Sequence, residues 1–298
     1  MERHIPVLLE KVIDVLAPKP GETFIDLTAG FGGHSAALLD LVGESGKGVL
    51  IDQDPEAIWA LLERFKSDSR VSIVQRNFGG LSDLELPLAD MILADIGVSS
   101  VQLDRPERGF SFKSDGPLDM RMDASRGETA AELIARLPEA ELADVIYRYG
   151  EERQSRRIAK AIVETRKVST IASTTQLAEI VEQAVGRHGK IHPATKTFQA
   201  LRIAINDELG ALTDMLPVAT ELLKPGGRLA VISFHSLEDR IVKQYFRSIT
   251  RSEKDHMGQN VSVPNYKLVT KKPIIGLDEK DFNPRARSAK LRAVEKIK

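Results

Sequence analysis

Three aspartates stand at the ends of short apolar runs, and each is followed by a break in the chain. Asp26 closes Phe24-Ile25, Asp52 closes Gly48-Val49-Leu50-Ile51, and Asp95 closes Met91-Ile92-Leu93-Ala94. After Asp26 comes L-T-A-G-F-G-G-H-S, with glycines at 30, 32 and 33, and the chain restarts as a helix from about His34. Glycines there remove the Cβ atoms that would hold a ligand off the backbone. The loop contains no Lys, no Arg and no G-K-[ST], so it is not built to hold a triphosphate. An acid before such a loop, with little positive charge, suits a nucleoside ligand lacking phosphate, and S-adenosylmethionine is the obvious candidate. A ligand-free strand–helix turn is the competing reading of the loop alone. The second acid shifts the balance, because Asp52 lies about twenty residues past the glycines, where nucleotide-binding folds place a carboxylate on ribose hydroxyls. Asp54 competes for that role, but it precedes Pro55 and reads better as a helix N-cap with proline at N1.

Composition removes several chemistries. The chain of 298 residues has no cysteine, which excludes disulfides and thiolate metal sites and fits a reducing compartment. It also excludes pyrimidine C5 methylation through a covalent thiolate, so a methylated base would be attacked at an atom with its own lone pair, such as an exocyclic amine. No His/Asp/Glu cluster has metal-ligand spacing, and no metal is expected. No apolar run is long enough to span a bilayer, and the N-terminus lacks the pattern of a signal peptide, so a cytoplasmic location is expected. Net charge is −1, yet the stretch from Lys267 onward holds ten basic residues against four acids. That imbalance reads either as a local phosphate contact or as a solvated tail.

The elements that must position these residues follow an α/β alternation. An amphipathic helix covers about 7–16. Strands fall at about 23–26, 48–52, 71–75 and 90–95, with apolar helical segments between them, including Ala57 to Phe65. In an open parallel sheet ligands lie beyond the carboxyl ends of the strands, so Asp26, Asp52 and Asp95 share one rim. Residues 104–125 are rich in Gly, Pro, Asp and Arg and read as a loop crossing between domains or over a site. From Thr129 to about Asn206 the pattern is helical. Pro138 starts one helix that Gly150 ends, Ser173 with Gln176 reads as a capping box, Gly186 closes that helix, and Pro193 starts another. The α/β pattern resumes with a helix from Glu208 to Leu223, a turn Lys224-Pro225-Gly226-Gly227, a strand over 228–234 and a helix from about Leu237. A final strand-like region lies near Lys267–Thr270. The expected organisation is a discontinuous Rossmann-like domain, 1–105 with 206–298, interrupted by a helical insert, 106–205.

Several segments together resemble a known family: H-I-P-V-L-L-E-K-V at 4–12, D-L-T-A-G-F-G-G-H-S at 26–35, D-I-G-V-S-S-V-Q-L-D at 95–104, R-G-F-S-F at 108–112 and G-P-L-D-M-R-M-D at 116–123. H-P-A-T-K-T-F-Q-A-L-R-I-A-I-N-D-E-L at 192–209, S-F-H-S-L-E-D-R-I-V-K at 233–243 and N-P-R-A-R-S-A-K-L-R at 283–292 complete the set. Their order resembles the bacterial 16S rRNA cytosine-N4 methyltransferase family (RsmH/MraW). The resemblance implies a class I, Rossmann-like S-adenosylmethionine-dependent methyltransferase fold with an inserted all-helical domain. It implies methylation of N4 of the cytidine at position 1402 of 16S rRNA in the small ribosomal subunit, and leaves the oligomeric state open, a homodimer being one option.

The resemblance places cofactor contacts at Gly30, Gly32, Gly33, His34, Asp52, Phe78, Asp95 and Gln102. For His34 a backbone N–H contact is expected rather than imidazole chemistry. Phe78 reads equally as a ring over adenine or as a core phenylalanine. Phe31 departs from the Arg or Gly the family often carries there. Asp95 is the candidate proton acceptor, His235 could hold the base edge and Phe234 could stack on it; for His235 a packed strand end is the competing reading. Asp115 and Asp119 are weaker candidates. RNA contacts are expected from Arg105, Arg108 and Lys113, the helical insert, and Arg285, Arg287, Lys290 and Arg292.

Overall fold

The computed structural model describes residues 6–187, 189, 191–252, 263–279 and 283–298. The chain forms two compact units, 1–97 with 209–298, and 98–208. In chain order the first unit supplies α1 (Leu9–Leu16), β1 (Thr23–Asp26), α2 (Gly33–Val42), β2 (Lys47–Asp52), α3 (Pro55–Phe65), β3 (Val71–Gln75) and β4 (Ala89–Asp95). The second supplies α4 (Ser100–Asp104), α5 (Ala130–Arg136), α6 (Glu139–Gly150), α7 (Ser155–Arg166), α8 (Thr174–Val185) and α9 (Ala194–Asn206). The chain then returns through α10 (Glu208–Glu221), β5 (Leu223–Ser233), α11 (Ser236–Ile249), β6 (Tyr266–Leu268), β7 (Ile274–Ile275) and β8 (Lys290–Lys296).

The sheet runs β3-β2-β1-β4-β5-β8-β6, with β7 also on β8. β1 to β5 are parallel, and β8 is antiparallel to its neighbours. Alternation along the strands separates two faces. Phe24, Leu50, Met91, Leu93 and Ala230 pack with Val12 of α1, Leu38 of α2 and Leu61 of α3. Ile25, Val49, Ile92, Leu229 and Val231 pack with Leu212 and Met215 of α10 and with Val242 and Phe246 of α11. Burying each large side chain contributes about 1.5–3 kcal/mol, so the strands that carry the three aspartates are held on both faces. α3 starts as the sequence dictates: the Asp54 carboxylate accepts the Glu56 N–H, with Pro55 in the first turn.

Two sequence expectations are corrected here. The segment Lys224–Gly227 is not a turn ahead of the strand: β5 already pairs at Leu223 with Ala89 of β4, and the segment bulges before Arg228 meets Met91. The stretch 290–296 is not a basic tail but a strand inside the sheet. Leu291, Ala293 and Val294 are buried, while Arg292 pairs with Asp239 and Glu295 with Arg228 and Lys267. Its alternating charges are cancelled by residues far away in sequence.

In the second unit α5 to α9 enclose a core of Ile134, Leu142, Ile146, Ile158, Ile162, Leu177, Val181, Phe198 and Leu201. Its boundaries fall at 97/98 and 208/209, outside the expected 105/106 and 205/206, because Val98 and Leu103 pack against this core. The Ser173 hydroxyl accepts the Gln176 N–H, whereas the Gln176 side chain accepts from Ala172, so only half of the expected capping box forms. The Gly/Pro-rich stretch after α4 is knitted into this unit. Phe110, Leu118, Met120 and Met122 join the core, and Asn206 accepts the Met122 N–H while donating to the Met120 carbonyl. A side chain at Gly109 or Gly116 would overlap the carbonyl oxygens of Pro117 or Pro106. No helix among the described residues is long and apolar enough to cross a membrane.

Candidate active site

The rim forms from strand ends in register. Asp26 sits opposite Leu50 of β2 and Leu93 of β4, so Asp52 and Asp95 stand two residues beyond it on the same face. Asp26 is the floor: its Oδ2 accepts from the Ser35 hydroxyl at 2.6 Å and its Oδ1 from the Thr28 N–H at 3.2 Å. Burial raises its pKa to about 6 against the pull of those bonds, and the Asp52 charge adds to the rise. Asp52 fixes both the glycine loop and the entry to α3, accepting from the Gly30 N–H at 2.8 Å and the Asp54 N–H at 2.9 Å. Desolvation lifts it to about 6 as well. A carboxylate oxygen has two lone pairs, so both oxygens retain capacity for further donors.

Asp95 differs from these two. Its main-chain N–H donates to the Thr28 hydroxyl at 2.6 Å and its Oδ2 lies 3.8 Å from His34 Nδ1, but its Oδ1 is buried without a hydrogen-bond partner. Desolvation, then the charges of Asp26 and Glu238, push its pKa well above the ordinary carboxylate range. His34 Nε2 is 3.0 Å from the Val7 carbonyl. A carbonyl can only accept, so that nitrogen carries the hydrogen and Nδ1 faces Asp95. None of the three carboxylates pairs with a Lys or Arg among the described residues. A rim with buried negative charge and an orphaned acceptor favours a cationic ligand that brings N–H donors.

The glycines divide by purpose. Gly30 has φ +52° and open space beside it, with only the Thr28 carbonyl 3.9 Å from an added Cβ. At Gly32, φ +76°, a Cβ would meet Phe65 and Leu61 at 2.9 and 3.0 Å, and at Gly33 it would meet Pro6 at 2.6 Å. Close packing requires glycine at 32 and 33 whether or not a ligand approaches their backbone. Of the three, Gly30 has the least crowded backbone.

The other expected residues have the following surroundings. Phe78 is buried in the core with Ile25 and Ile92, so packing accounts for its ring. Gln102 belongs to the helical unit, where it forms a capping box with Ser99 at the start of α4. Phe234 is half-buried after β5, against Gly97 at the exit of β4. His235 is the N-cap of α11: its Nδ1 accepts the Glu238 N–H at 3.3 Å, and Nε2 lies 3.0 Å from Glu238 Oε1. Nδ1 is thus taken up by the cap, whereas Nε2 is buried and makes no hydrogen bond among the described residues. Glu238 itself is fully buried and accepts the N–H groups of Phe234 and His235 at 2.7 and 3.1 Å.

Among the basic residues, Arg105, Lys113 and Arg287 are exposed. Arg108 is not available to a nucleic acid, because it is buried and donates to the carbonyls of Arg121 and Met122. Arg292 is likewise spent on Asp239 at 2.7 Å, with Lys290 on the same carboxylate at 3.3 Å. The side chain of Arg285 lies outside the described residues. Of the weaker acids, Asp115 accepts from Thr175 and Asp119 is bound to Arg121, both within the helical unit. Sequence reasoning passed over Thr28, Ser35 and Glu238. The spacing His235-x-x-Glu238, a capping-box pattern, was the available signal for the last.

Known proteins with this sequence pattern agree on one chemistry. Residues 1–297 match the family described as the MraW methylase family. The chain is 48% identical over 309 residues to the ribosomal RNA small subunit methyltransferase H of Heliobacterium modesticaldum, covering 99% of both chains. It is 49% identical over 308 residues to the protein of the same name from Granulibacter bethesdensis, covering 98% of this chain and 91% of that one. The Azorhizobium caulinodans protein of that name is 50% identical over 306 residues, covering 99% of this chain and 87% of its own. A Rossmann-like sheet with an inserted helical unit, a rim suited to a cationic ligand and a match over nearly the whole length place the chain in the MraW methylase family, among the methyltransferases.

Proposed function

We propose that this methyltransferase uses S-adenosylmethionine to methylate N4 of the cytidine at position 1402 of 16S rRNA, on the small ribosomal subunit in the cytoplasm. The buried, partnerless Asp95 Oδ1 carries the reading. The names of the relatives supply the class of substrate. Bound at the rim, the sulfonium supplies a methyl carbon open to in-line attack. Asp52 offers its remaining lone pairs to ribose hydroxyls, and Gly30 leaves its side of the loop open. Cytosine N4 is a poor nucleophile because its lone pair is delocalised into the ring. Asp95 would accept an N–H of that amine, which favours pyramidal nitrogen, and would take the proton as the N–C bond forms and the sulfonium S–C bond breaks, the sulfur leaving as a neutral thioether. Its raised pKa, caused first by burial, makes it a stronger proton acceptor than an ordinary aspartate. Phe234 provides a ring at the rim on which an unstacked base rests.

The test is Asp95→Asn, incubated with unmodified small subunits and the methyl donor, with N4-methylcytidine read by nucleoside mass spectrometry. Loss of the modified nucleoside in the variant and its presence with the parent chain are expected. Wild-type yield from the variant would remove Asp95 from the reaction. Absence of the product from the parent chain would remove the proposed substrate.

A further inference from the structure

The polar face of α11 carries one sign of charge. Its exposed residues are Ser236, Arg240, Lys243, Gln244, Arg247 and Ser248, and Arg251 follows just past the helix end. At 3.6 residues per turn, Arg240, Lys243, Arg247 and Arg251 lie within a quarter-turn of one another, in a stripe about 16 Å long. No carboxylate interrupts it. Glu238 is buried at the N-terminus of the helix, and Asp239 is occupied by Arg292 and Lys290. Lys243, Arg247 and Arg251 have no ion-pair partner among the described residues. Many cations elsewhere are neutralised, as in Arg70–Asp68, Arg121–Asp119 and Arg228–Glu295. α6 leans acidic with Glu139, Glu141, Asp144 and Arg148, and the basic face of α7, Arg156, Arg157 and Lys160, is interrupted by Glu164, which lies 3.9 Å from Lys160. A helix dipole rewards cations in the last turn, which accounts for Arg247 and Arg251 but not for Arg240 and Lys243 in the body of the helix.

We infer that this stripe grips the phosphodiester backbone of the RNA substrate. α11 starts directly after Phe234 and His235, so the stripe leads away from the strand end at which the base is to be held. Backbone contacts of this kind fix register and orientation while the rim selects the atom. On a chain of net charge −1, a local row of cations, of which Lys243, Arg247 and Arg251 lack an ion-pair partner among the described residues, is the form such a contact takes. The inference rests on the rRNA reading above and assigns part of its substrate grip to a surface outside the reaction site.

The experiment uses the full chain with Lys243→Gln, Arg247→Gln and Arg251→Gln combined. Affinity for unmodified small subunits is measured against salt, beside S-adenosylmethionine affinity by calorimetry and the thermal midpoint. Removing three phosphate contacts should weaken binding about tenfold or more at low salt and flatten the log–log salt slope by about 2. KM for subunits should rise, with kcat, cofactor affinity and thermal midpoint held. An unchanged slope and KM would overturn the inference, as would an equal loss from Lys11→Gln, Lys19→Gln and Lys47→Gln, exposed lysines in the first unit, which would make total charge the cause. Retention of a plain single-stranded RNA on filters is measured in parallel. It reads the stripe even where the parent chain fails to methylate subunits, so the two ideas fail separately.

Discussion

Asp95 and Asp119 are both carboxylates in segments rich in functional signals, and their surroundings are opposite. Asp119 sits in the helical unit with Arg121 bound to it twice, Nε on Oδ1 and Nη2 on Oδ2, each at 2.8 Å. Burial alone would raise its pKa, but the Arg121 bonds and charge outweigh it and the net shift is downward. Asp95 has no guanidinium, an orphaned Oδ1 and two acidic neighbours, and its pKa is driven up. A satisfied carboxylate holds a loop together. An unsatisfied one costs the fold free energy and persists where a ligand later completes it.

The largest effect expected from this contrast is on Asp95. Asp95→Asn should lower kcat/KM about 10²–10⁴-fold while the thermal midpoint of the free protein holds or rises, since a strained buried acid is removed. A fall in both would mean that Asp95 is structural after all. Next comes the floor. Folding keeps the Asp26 proton on up to about pH 6, whereas an ordinary aspartate loses it near 3.8. Stability from this group is therefore complete below pH 3.8 and is lost as pH rises through about 6. The gap between the parent chain and Asp26→Asn, from urea titrations across that window, should shift against the parent by up to about 3 kcal/mol.

Arg121→Ala should destabilise the helical unit by about 2 kcal/mol, because a half-buried Asp119 loses its partner, with cofactor affinity unchanged in a calorimetric titration. A collapse of cofactor affinity would break the comparison from the other side. Gly30→Ala should cost only about 1 kcal/mol of stability for its left-handed backbone and should weaken cofactor binding more than stability. Gly32→Ala should do the reverse, because its Cβ meets Phe65 and Leu61.

Much of the fold was legible because local chemistry marked it. β1, β2 and β4 end in an acid and a break, Asp54-Pro55 announces α3, and Gly186 closes α8. β8 was illegible for a physical reason. K-L-R-A-V-E-K has alternating charges, and its claim to the sheet depends on Asp239, Arg228 and Lys267 cancelling them. The same gap misplaced the RNA contacts. Arg108 and Arg292 look like any exposed arginine in sequence, and only the fold shows them spent on backbone carbonyls and a carboxylate. Arg240 and Lys243 fall within the family motif at 233–243, but only the helix aligns them with Arg247 and Arg251.

Order along the chain alone determined where strands stop, where the backbone must turn left-handed, and which acids reach one rim. Those features depend on a residue and its near neighbours. The fold decided which charges stay charged and which are cancelled. Desolvation and ion pairing act through space, between side chains such as Arg292 and Asp239 that the chain itself keeps far apart.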